Sequence, residues 1–236
     1  MTQAARYAIY LAPPPESALW RFGSAAIGRD ATGAALEPFE LEAFSAQAWR
    51  EMTAEPRRYG FHATIKAPFR LRDGETFERL CAAAEVLAAA QAPFELGPLE
   101  VTRIASGAER AFIALTPRAP CADLTRLESL VVRQLDRFRA PLTPTERARR
   151  RPERLTERQR DMLERWGYPY ALDEFRVHFT LTDAIAESEP VARALADAFA
   201  VRAASPSLAV DALVLFAQGQ AGEDFVVLRR FPFAAA

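Results

Sequence analysis

Histidine, cysteine and lysine are all scarce in this 236-residue chain, which has two histidines, two cysteines and a single lysine. Two cysteines, Cys81 and Cys121, are too few for a disulfide scaffold and show no paired metal-ligand spacing, so a reduced protein is expected. No sign of charge dominates: 30 basic residues meet 31 acidic ones, for a formal net charge of −1. Whole-molecule attraction to nucleic acid or to an anionic membrane is thereby excluded, while nucleic acid held by a local basic patch stays open. No apolar run approaches the roughly 18 residues that cross a bilayer. The short apolar stretch 7–12 runs into Pro13, Pro14 and Pro15 before any cleavage-like site. A cytoplasmic protein with no membrane partner and an unassigned oligomeric state is the expectation. What is present is ordinary globular composition, 50% hydrophobic and 26% charged, at a length that suits one domain, or two lobes sharing a core.

Hydrophobic periodicity divides the chain into strands and helices. Strands are predicted at 6–12, 59–71, 94–104, 111–116 and 174–183, with a closing hairpin over 207–216 and 225–231. Helices are predicted at 16–27, 76–91 (with Thr76 as cap), 122–138 and 190–200, with a further helical patch at 42–52. The two halves, roughly 1–110 and 111–236, repeat one order: strand, helix, variable stretch, histidine-bearing strand, helix, closing strand. This reads as an internal duplication of an α+β unit within a single domain, with an arginine-rich insertion at about 144–166 in the second half.

Both histidines lie in the same short pattern, His62-Ala63-Thr64-Ile65 and His178-Phe179-Thr180-Leu181. With thirteen threonines in the chain, two such coincidences arise by chance about once in 300. A lone histidine on a half-buried strand is ordinarily structural; the repeat at equivalent points of the duplication argues otherwise. Strand parity puts Arg58, Gly60, His62, Thr64 and Lys66 on one face, and Arg176, His178, Thr180 and Thr182 on one face of the later strand. Two such faces make a cleft with two imidazoles, several hydroxyls and fixed positive charge. That set suits a phosphate ester. One imidazole takes a proton from water while the other protonates the leaving oxygen, and hydroxyls and cations hold the nonbridging oxygens. No metal is needed, and zinc would require carboxylates or the two cysteines, none usefully spaced. With ordinary histidines the rate is bell-shaped around neutrality.

The paired motifs resemble those of the 2H phosphoesterase superfamily, named for twin His-x-Thr/Ser-x motifs in a duplicated fold. It includes RNA 2′,3′-cyclic phosphodiesterases and related ligase-like proteins. The longer strings RYGFHATIKAPF (58–69) and FRVHFTLTD (175–183) resemble a bacterial branch linked to phosphonate metabolism, and the opening RYAIYLAP and the closing hairpin agree. The resemblance implies an α+β, bilobal fold with two antiparallel sheets lining a central cleft and helices outside. It implies metal-independent, cofactor-free hydrolysis of a cyclic phosphodiester, with His62 and His178 as acid and base and Thr64 and Thr180 holding phosphate. For the branch it implies a small phosphorylated substrate such as 5-phosphoribosyl 1,2-cyclic phosphate. The alternatives are an RNA 2′,3′-cyclic phosphodiesterase or ligase-like enzyme, or an RNA-binding protein using the same cleft.

Secondary candidates for phosphate contact are Lys66, the only lysine, and Arg58 and Arg176, each near a histidine. Tyr59 and Phe61 are expected in the core by parity. Tyr168 and Tyr170 are read as loop packing, with the cleft mouth as the alternative. The insertion ERARRRPERLTERQRDMLERW is read as a solvated helical face laced with ion pairs, the alternative being a lid that adds charge over the cleft; Arg149, Arg150 and Arg151 are its densest stretch.

Overall fold

A computed structural model describes residues 6–203 and 207–234. The first strand, β1 (Arg6–Leu11), is followed by α1 (Ala18–Ile27), α2 (Ala46–Met52) and α3 (Ala54–Tyr59), and then by β2 (Ala63–Phe69) and α4 (Phe77–Ala89). Next come β3 (Phe94–Ala105), β4 (Ala111–Pro117), α5 (Ala122–Leu135), α6 (Pro144–Arg149) and α7 (Glu157–Trp166). A two-residue β5 (Phe179–Thr180), α8 (Ser188–Arg202), β6 (Ser207–Val210), β7 (Ala212–Gln218) and β8 (Phe225–Pro232) complete the chain. Helix ends follow capping chemistry: the Ser17 and Thr76 hydroxyls accept from the amides of Trp20 and Arg79, and Gly28 closes α1 in the left-handed region.

Among the described residues, all eight strands pair antiparallel in the order β6-β3-β4-β5-β2-β1-β7-β8. The order is pseudo-symmetric about its centre, so the fold is an α+β structure of two four-stranded lobes, β2-β1-β7-β8 and β5-β4-β3-β6. β1 and β7 are paired on both edges and buried almost throughout, as apolar strands covered on both faces are. The lobes are not the two sequence halves. β3, from the first half, sits beside β4, while β7 and β8 return from the second half to β1. A repeated order of elements has thus been built into lobes that exchange strands.

The lobes meet at one registered pair, Ala63 with Phe179. Because the pairing is antiparallel, His62 lies abreast of Thr180, and Thr64 abreast of His178. Ala63 and Phe179 point to the opposite face, where Phe179 packs 5.4 Å from Phe61 in the core. Two expected strands are shorter than their alternation suggested. Residues 54–59 wind into α3, so β2 begins only at Ala63. The stretch 174–183 reduces to β5 because the Thr182 hydroxyl, in place of a main-chain carbonyl, accepts from the Ile113 amide at 3.0 Å and ends the ladder. Among the described residues no helix is long and apolar enough to cross a membrane.

Candidate active site

The seam between the lobes opens into a cavity of about 370 Å³, lined by both histidines, Thr64, Thr180 and Thr182. Each imidazole is fixed in the same way. The Nδ1–H of His62 donates to the Gly60 carbonyl at 2.8 Å, and that of His178 to the Arg176 carbonyl at 2.8 Å. A carbonyl can only accept, so in the neutral ring the proton sits on Nδ1 and Nε2 is left as an acceptor. The Thr64 hydroxyl donates to His62 Nε2 at 3.3 Å. Each ring also has an aromatic neighbour from the next strand outward. Tyr10 of β1 stacks on His62 at 3.6 Å between centroids and 19° between planes, and Phe112 of β4 stands 5.5 Å from His178.

The turn that aims His62 depends on glycine. Gly60 has φ +80°, and a Cβ there would lie 2.7 Å from the Ala31 methyl. Arg29 holds the end of α3 in place by donating to the carbonyls of Arg57 at 2.6 Å and Arg58 at 3.1 Å. Burial in the cleft disfavours the imidazolium, pushing His62 down to about 4 against the pull of its carbonyl bond, with the His178 and Arg29 charges adding to the fall. Burial lowers His178 as well, again opposed by its carbonyl bond. Tyr10 is pushed well above the usual phenol range, first by burial and then by Tyr59 and Tyr168. Both shifts favour the neutral imidazole at pH 7.

The family model described as "Protein of unknown function (DUF1045)" matches residues 64–226. The chain belongs to this family. It is 36% identical over 235 residues to a protein of Janthinobacterium sp. (strain Marseille) named ribose 1,5-bisphosphate phosphokinase PhnN, covering 97% of this chain and 51% of that protein. A protein of the same name from Laribacter hongkongensis (strain HLHK9) is 34% identical over 224 residues, covering 95% and 51% respectively. The chain thus spans about half the length of the curated relatives it matches. Among solved structures, E. coli LigT in apo form superposes with a TM-score of 0.51 at 15% identity over 99% of both chains. LigT complexed with 3′-AMP gives 0.50 at 18% identity, over 99% of this chain and 100% of that one. These likenesses show the fold, which is that of LigT.

Within the DUF1045 chain the four motif residues converge, but the three secondary cations do not line the cavity. Parity failed at Lys66 because a bulge intervenes: Tyr10 pairs with Thr64 and Ile9 with Lys66, leaving Ile65 as the extra residue. Lys66 is thereby turned to the helix-covered face, 3% exposed, where its Nζ donates to Asp136 Oδ1 at 3.0 Å. Arg58 belongs to α3 and donates to Glu55 Oε2 at 2.7 Å. Arg176 turns back on its own loop, donating to the carbonyls of Asp173 and Phe175. Tyr59, expected in the core, packs against it by stacking on Phe225 at 5.1 Å and also lines the cavity, as do Tyr168 and Arg150. Among the described residues no group of three or more histidine, cysteine, aspartate and glutamate side chains is placed to hold a metal ion.

Proposed function

We propose that this chain is a two-histidine phosphodiesterase that hydrolyses a cyclic phosphate of a small phosphorylated ribose without a metal. The observation that carries the reading is the matched pair of imidazoles. Both are held by Nδ1–H bonds to carbonyls two residues upstream, and each lies abreast of the other motif's threonine. A cyclic phosphate between them has a proton acceptor on one side and, once its own charge has drawn a proton onto the other ring, a donor on the opposite side. The oxygen of water forms a bond to phosphorus as one Nε2 takes the water's proton. The bond from phosphorus to the sugar oxygen breaks, and the other imidazolium protonates that oxygen. The Thr180 hydroxyl, and that of Thr64 once substrate draws it away from His62 Nε2, offer donors to the nonbridging oxygens.

The choice of sugar is supported by the relatives' printed name. Opening 5-phosphoribosyl 1,2-cyclic phosphate at O2 yields ribose 1,5-bisphosphate, the molecule in that name. The kinase activity itself finds no counterpart here. A phosphate-binding loop ends in Gly-Lys-Ser/Thr, whereas the single lysine, Lys66, stands between Ile65 and Ala67. A 2′,3′-cyclic nucleotide is the second reading, favoured by the aromatic walls of Tyr10, Tyr59, Phe112 and Tyr168.

Phosphorus NMR of both compounds in EDTA tests the proposal. Ring opening should survive chelation and fall at least about 100-fold in each of His62→Ala and His178→Ala. Turnover that appears only when a divalent metal is restored, or that persists in either variant, would sink the mechanism.

A further inference from the structure

Three of the four cations near the twin motifs are already committed elsewhere, and the cavity is lined by neutral imidazoles and hydroxyls. Arg150 stands apart. It follows the last turn of α6, is half-buried, and lines the cavity with its guanidinium 5.2 Å from the centroid of the Tyr168 ring. No carboxylate among the described residues pairs with it, whereas Arg147 of the same helix is paired with Glu164. The cavity's own carboxylates are otherwise engaged: Glu55 with Arg58, and Asp183 with the Glu55 amide at 3.1 Å. A positive charge on a tethered segment, facing a cleft and lacking an internal anion, is matched to an anion on the ligand.

The segment that carries Arg150 is built to hold it there. Thr143 and Glu146 form a capping box at the start of α6, and Glu146 also takes two bonds from Arg70, at 3.0 and 3.1 Å, tying the insertion to the end of β2. The guanidinium charge reaches Tyr10 and Tyr168, lowering both phenols against their burial, which places it within range of the ring that stacks on His62. The solvated face of the insertion, read from its sequence, is thus one side of a cover whose other side is charged toward the cleft.

We propose that Arg150 is the specificity-determining residue for a second, terminal phosphate on the substrate. It binds a phosphomonoester remote from the reacting ring and so selects a sugar phosphate over a nucleoside. The inference rests on the phosphodiesterase reading of the same cleft.

The experiment compares 5-phosphoribosyl 1,2-cyclic phosphate with ribofuranosyl 1,2-cyclic phosphate, which lacks the terminal phosphate, on the wild-type chain, Arg150→Gln and Arg150→Lys. The wild type should prefer the phosphorylated compound by at least about 30-fold in kcat/KM, the scale of one charge-assisted bond. In Arg150→Gln that ratio should collapse to below about 3, chiefly through KM, and Arg150→Lys should recover part of it. An unchanged ratio in Arg150→Gln, or a wild type that does not discriminate, overturns the proposal. Calorimetric binding of ribose 5-phosphate, which has no ester to open, separates this failure from that of the parent reading. Absence of turnover with weaker binding to Arg150→Gln sinks only the phosphodiesterase reading, whereas equal binding to both proteins sinks the assignment of Arg150.

Discussion

At the scale of the residue, His62 departs furthest from an unperturbed side chain. Its ring is sandwiched against Tyr10, tied to Gly60 through Nδ1, and held down to about 4 chiefly by burial. His178 is lowered by the same cause. A bell-shaped profile centred on neutrality, the expectation for ordinary histidines, therefore moves to lower pH. The kcat/KM profile reports the free enzyme, in which both groups lose their protons below the usual 6.5, so its maximum should fall between about 4 and 6.5. The kcat profile should lie at higher pH, because a bound phosphate anion favours the imidazolium. A kcat/KM maximum at or above pH 8 would show that the two rings are not the titrating pair. The histidines were legible from composition and repetition alone, since two histidines in twin motifs leave little room for accident. Lys66 was not, because a one-residue bulge at Ile65 turns it to the opposite face before a second irregularity between Ile9 and Tyr7 resets the register, and neither leaves a mark in the alternation of IKAPF.

At the scale of the element, the segment leading to His178 is held from beneath by α5. Glu128 is fully buried, and its Oε1 accepts from the Leu172 amide at 3.0 Å, while Oε2 is buried without a partner among the described residues. Leu172 itself has φ +56°, a left-handed conformation that the surrounding structure must hold. Burial raises the Glu128 carboxyl to about 7, against the Leu172 bond and the nearby charges of Lys66 and Arg133. Between about 4.5 and 7 the folded protein keeps a proton that the unfolded chain has released, so this group's contribution to stability falls as pH rises through that window and is level above it. Glu128→Gln keeps the acceptor and has no proton to lose. Its stability relative to wild type should climb by up to about 3 kcal/mol between pH 4.5 and 7 and then level off, as followed by urea denaturation. A difference independent of pH would place the buried charge elsewhere. Elements with strong periodicity, such as α5 and β4, could be read directly from the sequence, while the single strand expected at 207–216 divides at Asp211 into β6, paired with β3 in one lobe, and β7, paired with β1 and β8 in the other. Two further features could not be read so: α3, whose Arg57-Arg58-Tyr59 run looks like the start of a strand, and the inward aim of Arg150 and Tyr59. Those follow from how loops and short helices dock, which no local pattern encodes.

At the scale of the whole molecule, the lobes share both chain and chemistry. Arg6 pairs with Gln218 across nearly the full length of the sequence, and β3 pairs with β4 in the lobe opposite its own sequence half. A piece ending at residue 110 would hold β1 without β7 and β3 without β4. A piece starting at 111 would hold β4 without β3 and the β7–β8 hairpin without β1. Each would expose the edges of strands that are buried in the intact protein, and unpaired main-chain groups there are costly. The seam that aligns His62 with Thr180 and His178 with Thr64 is the single Ala63–Phe179 pair, so the alignment of the two motifs exists only when both lobes are complete. The full chain should therefore melt in one transition with calorimetric and van't Hoff enthalpies in agreement, and neither piece should melt cooperatively alone. Long-range pairing of this kind also predicts folding on the slow side for its size. A cooperative melt of the 111–236 piece by itself, or two resolved transitions in the full chain, would mean that the lobes are autonomous and that the seam is a docking contact. In that case Phe179→Ala would separate them without unfolding either. If the exchange of strands governs stability, the same substitution lowers the one transition and leaves it single.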